Sequence, residues 1–424
     1  MMNRAKFLQG LLLVLAAATL VNCSPAVPCN IVGDGRAVGL RRAASGICGS
    51  GGGGGGTPTC SSTLKPAQVM FSVDSTGKVL EYGIDSTTGA LTLMCNTGTA
   101  ALGPLAVSNN SFLYILDTST TPAQVFGFVI AHGNSGALAA ITGSPFPLSE
   151  EIQGPASIVA DPLGRFIFVT NNSLDFLPSA TDVHVLTIGQ SGALTEAATS
   201  PTVVQSPDYV AVTPSGAFVY VPDSTDGDIF IFSVDANGKL TGTIANPLII
   251  SNFNDFAHFA VVHPNGNFLL TANLQSISSF AIDPNPLNGG LLTEVAGSPY
   301  SPAIAGDSQV APLTLTLDAS GKFLYVTPEG AAGNIPGFAS DNIIGFAIDT
   351  TGGILTPVPN SPFISSSTLD IVANPLLQQM FVVTSNTTSI LFDVAPIDAN
   401  GNLTLPTTGL AVTAEIHPVI ANIN

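Results

Sequence analysis

Three closely spaced aspartates form the first group in this sequence whose spacing suggests chemistry. Asp223, Asp226 and Asp228 lie in the run Asp-Ser-Thr-Asp-Gly-Asp. Carboxylate oxygens at such spacing are ligands that Ca²⁺ prefers. The run lacks the terminal acidic ligand of a helix-loop-helix calcium loop, and Asp-rich segments with glycine also form turns in which side chains cap backbone amides. The pattern leaves both interpretations open, and we favour the capped turn over the calcium site.

The other residues capable of chemistry show no motif for a metal or a phosphate. His132, His184 and His263 have no Cys, His or carboxylate at the spacing of a metal site. The chain has no Gly-x-Ser-x-Gly nucleophile motif, and the glycine run at residues 51–56 lacks the Lys and the strand–helix context of a phosphate loop. We therefore expect no cofactor other than a possible Ca²⁺.

The charge balance narrows the ligand classes. From residue 67 onward the chain has 27 acidic residues and four basic ones. The basic residues each follow a glycine: Lys78, Arg165, Lys239 and Lys322. Sugar phosphates and nucleic acids bind through Lys and Arg, and hairpin tips seldom face a central channel. We therefore expect neither a phosphorylated substrate nor a nucleic acid.

An internal repeat supplies the strands that must position these residues. An aromatic or apolar strand of the Phe-x-Tyr-Val type occurs seven times, at 69–73, 112–116, 166–170, 218–222, 268–272, 323–327 and 380–384. Each copy is followed by a third strand, a tight glycine turn and a fourth strand that begins with Gly-x-Leu, followed by Thr in six of the seven copies. Strands that are apolar on both faces and joined by tight turns indicate radial sheets packed face to face. The pattern predicts an all-β, seven-bladed β-propeller with four antiparallel strands per blade over residues 67–424.

The two ends of the repeat region predict how the ring closes. The first unit has no apolar strand before Val69, whereas the last unit is followed by a surplus segment at residues 417–422. This segment matches the first strands of other units, such as residues 155–160. We expect the C-terminal strand to be the innermost strand of the first blade.

The N-terminus predicts export. Residues 1–22 combine Arg4 and Lys6 with an apolar stretch that is short for a membrane span, as in a signal peptide. The run Leu20-Val21-Asn22-Cys23 resembles the lipobox of bacterial lipoproteins, which implies lipidation of Cys23, although Asn22 departs from the usual small residue. Residues 23–66 form a Gly-rich tether by composition. We expect a monomer anchored to the bacterial cell envelope by lipid alone, and the alternative is a soluble secreted product.

Four cysteines remain after Cys23, and in an oxidising compartment they allow two disulfides. They are Cys29, Cys48, Cys60 and Cys95. Sequence leaves the three pairings open. Cys60 with Cys95 is the pairing that would attach the tether to the first blade, and four unpaired thiols are the alternative.

The repeats resemble the lactonase-type seven-bladed propellers with Tyr-Val-Thr-Asn strands, the superfamily that includes 6-phosphogluconolactonase. Residues 166–171 and 323–327 carry the likeness, together with recurring Gly-Ser-Pro-Phe segments such as residues 143–146. The resemblance covers residues 67–424 and implies the fold. It does not by itself imply the activity.

The resemblance also implies a site that is only partly present here. The family's Arg, His and Glu would fall on Ala257, His258 and Leu274, so only His258 survives. A lone His cannot both activate water and stabilise the anion that forms on a lactone carbonyl. We therefore favour a binding module that takes a protein, glycan or small ligand on its loop face. The alternative is a divergent lactonase that acts on an unphosphorylated sugar lactone with His258 as its base.

Overall fold

The computed structural model of the protein describes residues 66–423, except for 75, 99–100, 102, 134–135, 153, 155, 173–180, 244–246, 249–254, 286–287, 303–311, 329–341, 364–367, 386–389, 406–408 and 413–417. These residues contain no α-helix. They form 30 strands, numbered β1 to β30 in chain order, in seven antiparallel sheets. The predicted all-β propeller is confirmed, with each sheet as one blade.

The strands follow the repeat of the sequence. Blade 1 contains β1 (Gln68–Val73), β2 (Lys78–Ile84), β3 (Leu91–Gly98) and the C-terminal β30 (Val419–Asn422). Blade 2 contains β4 (Leu105–Ser108), β5 (Phe112–Asp117), β6 (Gln124–Ile130), β7 (Leu138–Ala140) and β8 (Phe146–Pro147). Blade 3 contains β9 (Ile158–Ala160), β10 (Phe166–Asn171), β11 (Asp182–Ile188), β12 (Leu194–Glu196) and β13 (Thr202–Val203). Blade 4 contains β14 (Ala211–Val212), β15 (Phe218–Pro222), β16 (Ile229–Val234) and β17 (Leu240–Gly242).

The last three blades have the same plan. Blade 5 contains β18 (Ala257–Val262), β19 (Phe268–Asn273), β20 (Ile277–Ile282) and β21 (Leu292–Glu294). Blade 6 contains β22 (Pro312–Leu317), β23 (Phe323–Pro328), β24 (Ile344–Ile348) and β25 (Leu355–Pro357). Blade 7 contains β26 (Thr368–Ala373), β27 (Gln379–Ser385), β28 (Ile390–Pro396) and β29 (Leu410–Val412).

The strand order defines two faces of the ring. We count the strands of a blade from the channel outward, and first strands of neighbouring blades contact one another, as β4 does with β9 and β18 with β22. First strands begin and second strands end on one face, which we call the mouth face. The turns between first and second strands, and between third and fourth strands, lie on the opposite face.

The predicted closure is confirmed. β30 is the first strand of blade 1 and pairs antiparallel with β1, with Phe71 opposite Val419 and Gln68 opposite Asn422. The hydrophobic core consists of seven clusters, each built from two neighbouring blades. One of them joins Met70 of blade 1 to Phe381 of blade 7, so the apolar packing runs unbroken around the ring.

The repeated glycine and aromatic residues fasten neighbouring blades on the opposite face. Gly192, in the last turn of blade 3, has a φ of +82°, and a Cβ there would lie 2.5 Å from Phe112 of blade 2. The position therefore requires glycine for conformation and for space. The carbonyl of Gly192 accepts a hydrogen bond of 2.7 Å from the Tyr114 hydroxyl. Tyr220 and Tyr325 donate in the same way to the next blade, so these aromatic residues bind blades together as well as filling the core.

The recurring Ser-Pro segments support the third strands. The Ser144 hydroxyl accepts a hydrogen bond from the Gly127 amide, and Ser298 and Ser361 accept from Ser279 and Gly345 in blades 5 and 6. The aromatic residue of blade 2's segment, Phe146, continues into β8 and pairs with β6. These segments are structural, in keeping with a likeness that implies fold rather than activity.

Candidate functional site

A β-bulge places His258 at the mouth face of blade 5. Ala257 pairs with Asn273 and Phe259 pairs with Ala272, so His258 is the extra residue of β18. A bulge redirects a side chain and interrupts pairing. Blades 6 and 7 show the same irregularity at the equivalent register, where the extra residues are Leu313 and Leu369. The bulge is thus shared by three blades, and only blade 5 places a titratable side chain on it.

A hydrogen-bond network holds the mouth-face turn of blade 5 against the beginning of β18. Asp255 is 4% exposed; its Oδ1 accepts the Gln275 amide at 2.6 Å and its Oδ2 accepts the Ser276 hydroxyl. The Asn273 amide group donates to Ser276 Oγ and Ser278 Oγ, both at 2.9 Å. The network therefore places buried polar groups beside the Ala257–Asn273 pair that flanks the bulge, while Leu274, 39% exposed, takes the position where the family resemblance would place Glu.

The Asp-rich segment forms a capped turn on the mouth face of blade 4. Asp223 Oδ1 accepts the backbone amides of Thr225 at 2.8 Å and Asp226 at 3.3 Å. Asp223 is 1% exposed. Burial, together with the charges of Asp226 and Asp228, raises its pKa to about 7, and burial also raises the pKa of Asp228. Where the structure is described, no three His, Cys, Asp or Glu side chains are grouped to hold a metal ion. The three carboxylates are therefore not brought together as a ligand set.

Blades 4 and 5 bring the Asp-rich turn and the histidine into one region. Gly227 of the turn lies against Phe256, and a Cβ on Gly227 would come within 2.9 Å of the Phe256 ring. Phe256 precedes His258 by two residues, and its carbonyl accepts the Leu274 amide at 3.1 Å. Two sites that the sequence suggested separately are thus neighbours through Phe256.

A third polar group on this face was missed by sequence reasoning. At the mouth end of blade 3, Ser157 and Thr170 are buried and their hydroxyls lie 3.0 Å apart. The Asn172 amide group donates to Asp208 Oδ1 at the start of blade 4. In the sequence, Asn171 ends a strand of the Tyr-Val-Thr-Asn type, a pattern that indicates the fold, and Asn172 follows it directly. This second Asn is the sequence signal by which the polar group could have been found.

The cations divide unequally between the faces. Arg165, Lys239 and Lys322 lie in turns of the opposite face, and Arg165 forms an ion pair of 2.7 Å with Asp161. Lys78 begins β2 at a mouth-face turn and is exposed. The basic residues are therefore shared unequally between the faces, with three on the opposite face and Lys78 on the mouth face. Lys78 is the one Lys or Arg that the described part of the chain places on this face.

Two earlier expectations concern the N-terminal region. Cys23 lies outside the described residues, as do Cys29, Cys48 and Cys60. Cys95 is disulfide-bonded, so its thiol is not free, and the identity of its partner remains a prediction. Within the described segments, no helix is long and apolar enough to cross a membrane.

Comparison with known proteins identifies the same fold. Residues 69–414 match the family model described as "Lactonase, 7-bladed beta-propeller". A 6-phosphogluconolactonase of Pectobacterium carotovorum subsp. carotovorum is 24% identical over 298 residues, which span 68% of this chain and 76% of that protein.

Solved structures agree. The periplasmic gluconolactonase of Pseudomonas aeruginosa superposes with a TM-score of 0.66 at 16% identity, over 84% of this chain and 99% of that one. A protein from Lactobacillus plantarum superposes with a TM-score of 0.63 at 18% identity, over 84% and 99%. At these identities the structural likeness establishes the fold alone.

Proposed function

Because the chain belongs to the lactonase family of seven-bladed β-propellers, we propose that it hydrolyses a sugar lactone that carries no phosphate, at the mouth face, with His258 as general base. The observation that carries this proposal is the bulge of β18. Of the four histidines that the structure describes, His258 alone lies at the mouth end of a first strand. Lactonase activity is thus a better-supported function than the binding module that the sequence favours.

The reaction needs one proton acceptor and one water molecule. An imidazole nitrogen of His258 takes a proton from water while the water oxygen bonds to the lactone carbonyl carbon. The ring ester C–O bond then breaks, and the proton passes to the departing alkoxide oxygen. The product is the open hydroxy acid, and nothing is oxidised or reduced. Neutral hydroxyl and amide donors of the mouth, rather than a guanidinium, must stabilise the oxyanion, so we expect a modest rate.

The charges of the mouth face support a substrate without phosphate. Asp223 and Asp255 are buried there, and Lys78 is the single Lys or Arg on the described part of this face. A phosphate dianion would meet carboxylates without a guanidinium or a buried ammonium to pair with. A neutral lactone avoids that repulsion, and its hydroxyls can bond to carboxylates and amides.

The test compares two substrates with the purified protein. Hydrolysis of glucono-1,5-lactone and of its 6-phosphate is followed by acid release in a pH-stat, with the spontaneous rate subtracted. We expect turnover of the unphosphorylated lactone and none of the phosphate. His258→Gln should lower kcat by about 10²–10⁴-fold.

Asp235→Asn is a control for a substitution away from the mouth face, because Asp235 caps a turn on the opposite face. It should leave the rate unchanged. Preference for the phosphate would contradict the proposal, and Lys78→Ala would then show whether that lysine binds it. Retention of activity in His258→Gln would remove the histidine from its proposed role.

One observation favours ligand binding without hydrolysis as the second candidate. Ala257 and Leu274 stand where the family resemblance places Arg and Glu, so a lactone could bind and remain intact. Calorimetric titration with a sugar lactone would then show saturable binding by a protein that does not turn it over.

We also propose that the protein is exported and held at the envelope through Cys23. The disulfide at Cys95 supports an oxidising compartment, and the name of the periplasmic gluconolactonase agrees with such a location. Cys23→Ser should release the protein from membranes. A variant that still sediments with membranes after a high-salt wash would contradict the anchor.

A further inference from the structure

Asp255 is the residue around which the mouth end of blade 5 is organised. Both of its carboxylate oxygens accept hydrogen bonds, one from the Gln275 amide and one from the Ser276 hydroxyl. Both donors belong to the turn between the second and third strands, whereas Asp255 precedes the first strand. The carboxylate therefore adds a side-chain link between two segments that the backbone joins at the last ladder pair, Ala257 with Asn273, and through the hydrogen bond from the Leu274 amide to the Phe256 carbonyl.

The joined segments are the two sides of the bulge that carries His258. A bulged residue lies outside the regular ladder register, so the backbone conformation at this point depends on the pairs that flank it. On one flank, Ala257 pairs with Asn273, whose side chain bonds to Ser276 and Ser278 and accepts the Thr271 hydroxyl at 2.8 Å. Ser276 Oγ accepts from Asn273 and donates to Asp255, so Asp255 closes the network on that flank.

We propose that Asp255 is a positioning residue for His258: through Ser276 and Asn273 it holds the bulge in the conformation that keeps the imidazole buried at the mouth end of blade 5. This inference rests on the proposed function of His258 and extends it to a residue with a different task. Asp255 need not touch the substrate. Its effect is on the fraction of molecules in which His258 is correctly placed.

The blade offers an internal comparison. Blades 6 and 7 have the same bulge, and their extra residues are leucines. The bulge therefore does not depend on a histidine. Among the described residues, blade 5 differs in two respects. Its bulged residue, His258, is titratable, and the buried carboxylate of Asp255 accepts two hydrogen bonds from the neighbouring turn.

The test measures the accessibility of His258 directly, so that it does not depend on hydrolysis. Diethyl pyrocarbonate modifies neutral imidazoles, and peptide mass mapping can follow the chain's five histidines one by one. In Asp255→Ala the turn loses both acceptors, and His258 should react at least about tenfold faster than in the wild type. Asp255→Asn keeps an acceptor for the Gln275 amide and should fall between the two.

His184 and His263 report general loosening, because both are buried away from this turn, His184 in β11 of blade 3 and His263 in the opposite-face turn that follows β18. They should stay protected in both variants. Asp318→Ala is the matched control, since Asp318 is equally buried and also binds a turn serine, Ser320, but on the opposite face of blade 6. It should leave the reaction rate of His258 unchanged.

The outcomes separate the two proposals. If His258 reacts at the wild-type rate in Asp255→Ala, or if His184 and His263 become reactive in parallel, Asp255 is not its positioning residue. If the accessibility changes as expected but the wild type hydrolyses no lactone, the positioning holds and the proposed function fails. With an active wild type, Asp255→Ala should lower kcat about tenfold or more and change KM little.

Discussion

Aspartates cap turns on both faces of the propeller, but Asp235 on the opposite face and Asp223 on the mouth face lie in different surroundings. On the opposite face Asp235 is exposed and accepts the amides of Asn237 and Lys239, and these hydrogen bonds, that of Lys239 first, lower its pKa. On the mouth face Asp223 also accepts two amides of its own turn, yet burial raises its pKa to about 7. Both aspartates accept two backbone amides of their own turn, and they differ in how deeply the carboxylate is buried.

The difference separates the turns that shape the ring from those that can do chemistry. An exposed cap stabilises its turn while remaining ionised in water. A buried carboxylate without a cation costs stability when it ionises, and such perturbed groups concentrate at functional sites. Much of the acidic character of the chain therefore reflects turn capping, and of the Asp235 and Asp223 turns only that of Asp223, on the mouth face, has a buried carboxylate with a raised pKa.

Deleting residues 418–424 should have the largest effect, because both faces depend on the closed ring. The deletion removes β30 and takes the buried Ala421 and Ile423 from the cluster between blades 1 and 2. The melting temperature should fall by on the order of 10 °C, as measured by circular dichroism. An unchanged melting curve would show that blade 1 does not need its C-terminal strand.

A buried charge that has a partner should behave differently from Asp223. His184 Nδ1 lies 2.6 Å from Glu196 Oε1, and its Nε2 lies 3.2 Å from Asp182, at ion-pair distance without hydrogen-bond geometry. Burial alone would lower the pKa of His184, but the two carboxylates outweigh it and raise the pKa to about 9. The stabilisation is complete below the unfolded value of 6.5 and is lost as pH rises through about 9.

Glu196→Gln should therefore lower the free energy of unfolding by on the order of 2–3 kcal/mol at pH 6. This is less than for a fully buried pair, because the Glu196 side chain is 15% exposed. Urea unfolding at pH 6 and pH 10 measures the effect, which should shrink at the higher pH. A loss of equal size at both pH values would mean that His184 is not charged.

Asp223→Asn tests the comparison of the two turns, because it should increase the free energy of unfolding rather than decrease it. A raised pKa means that the folded state holds a proton that the unfolded state releases, so wild-type stability falls as pH rises from 3.8 through about 7. Asn removes this loss, so the variant should gain on the order of 2 kcal/mol over the wild type at pH 8 and little at pH 4. Denaturant unfolding at the two pH values gives both numbers.

Asp235→Asn is the counterpart on the opposite face. Its lowered pKa means that stability is present above the unfolded value of 3.8 and is lost as pH falls through the folded one. This variant should be slightly less stable than the wild type at pH 8 and equal to it in acid. If the stability differences of Asp223→Asn and Asp235→Asn from the wild type changed with pH in the same direction, the distinction between the two turns would be contradicted.

Tyr220→Phe should lower stability and leave the mouth face untouched. The Tyr220 hydroxyl donates at 2.9 Å to the Gly290 carbonyl on the opposite face, and its loss should cost about 1–2 kcal/mol. Tyr300→Phe is the control, since the buried Tyr300 hydroxyl has no hydrogen-bond partner among the described residues. Equal costs for both, or loss of lactone hydrolysis in Tyr220→Phe, would contradict this division of roles.

Part of the candidate site could be read from the sequence. His258 and the Asp-rich segment were identified, the first through a family likeness and the second through its spacing. Their proximity could not be seen, because the contact between Gly227 and Phe256 joins two blades. The role of Asp255 was equally hidden, since an aspartate before a strand looks the same whether it faces water or a buried turn.

The sequence by itself determined the blade count, the strand order within each blade and the closure by the C-terminal strand. These features follow from local periodicity, from turns that need glycine and from a surplus strand at one end, all of which are properties of neighbouring residues. Only the tertiary structure decided which aspartates are buried, which cation reaches the mouth face and that His258 occupies a bulge. Burial depends on residues from other blades, register depends on the pairing of a whole strand with its neighbour, and pKa shifts follow burial. The same Asp-containing turn is thus an exposed cap at Asp235 and a titrating carboxyl near pH 7 at Asp223.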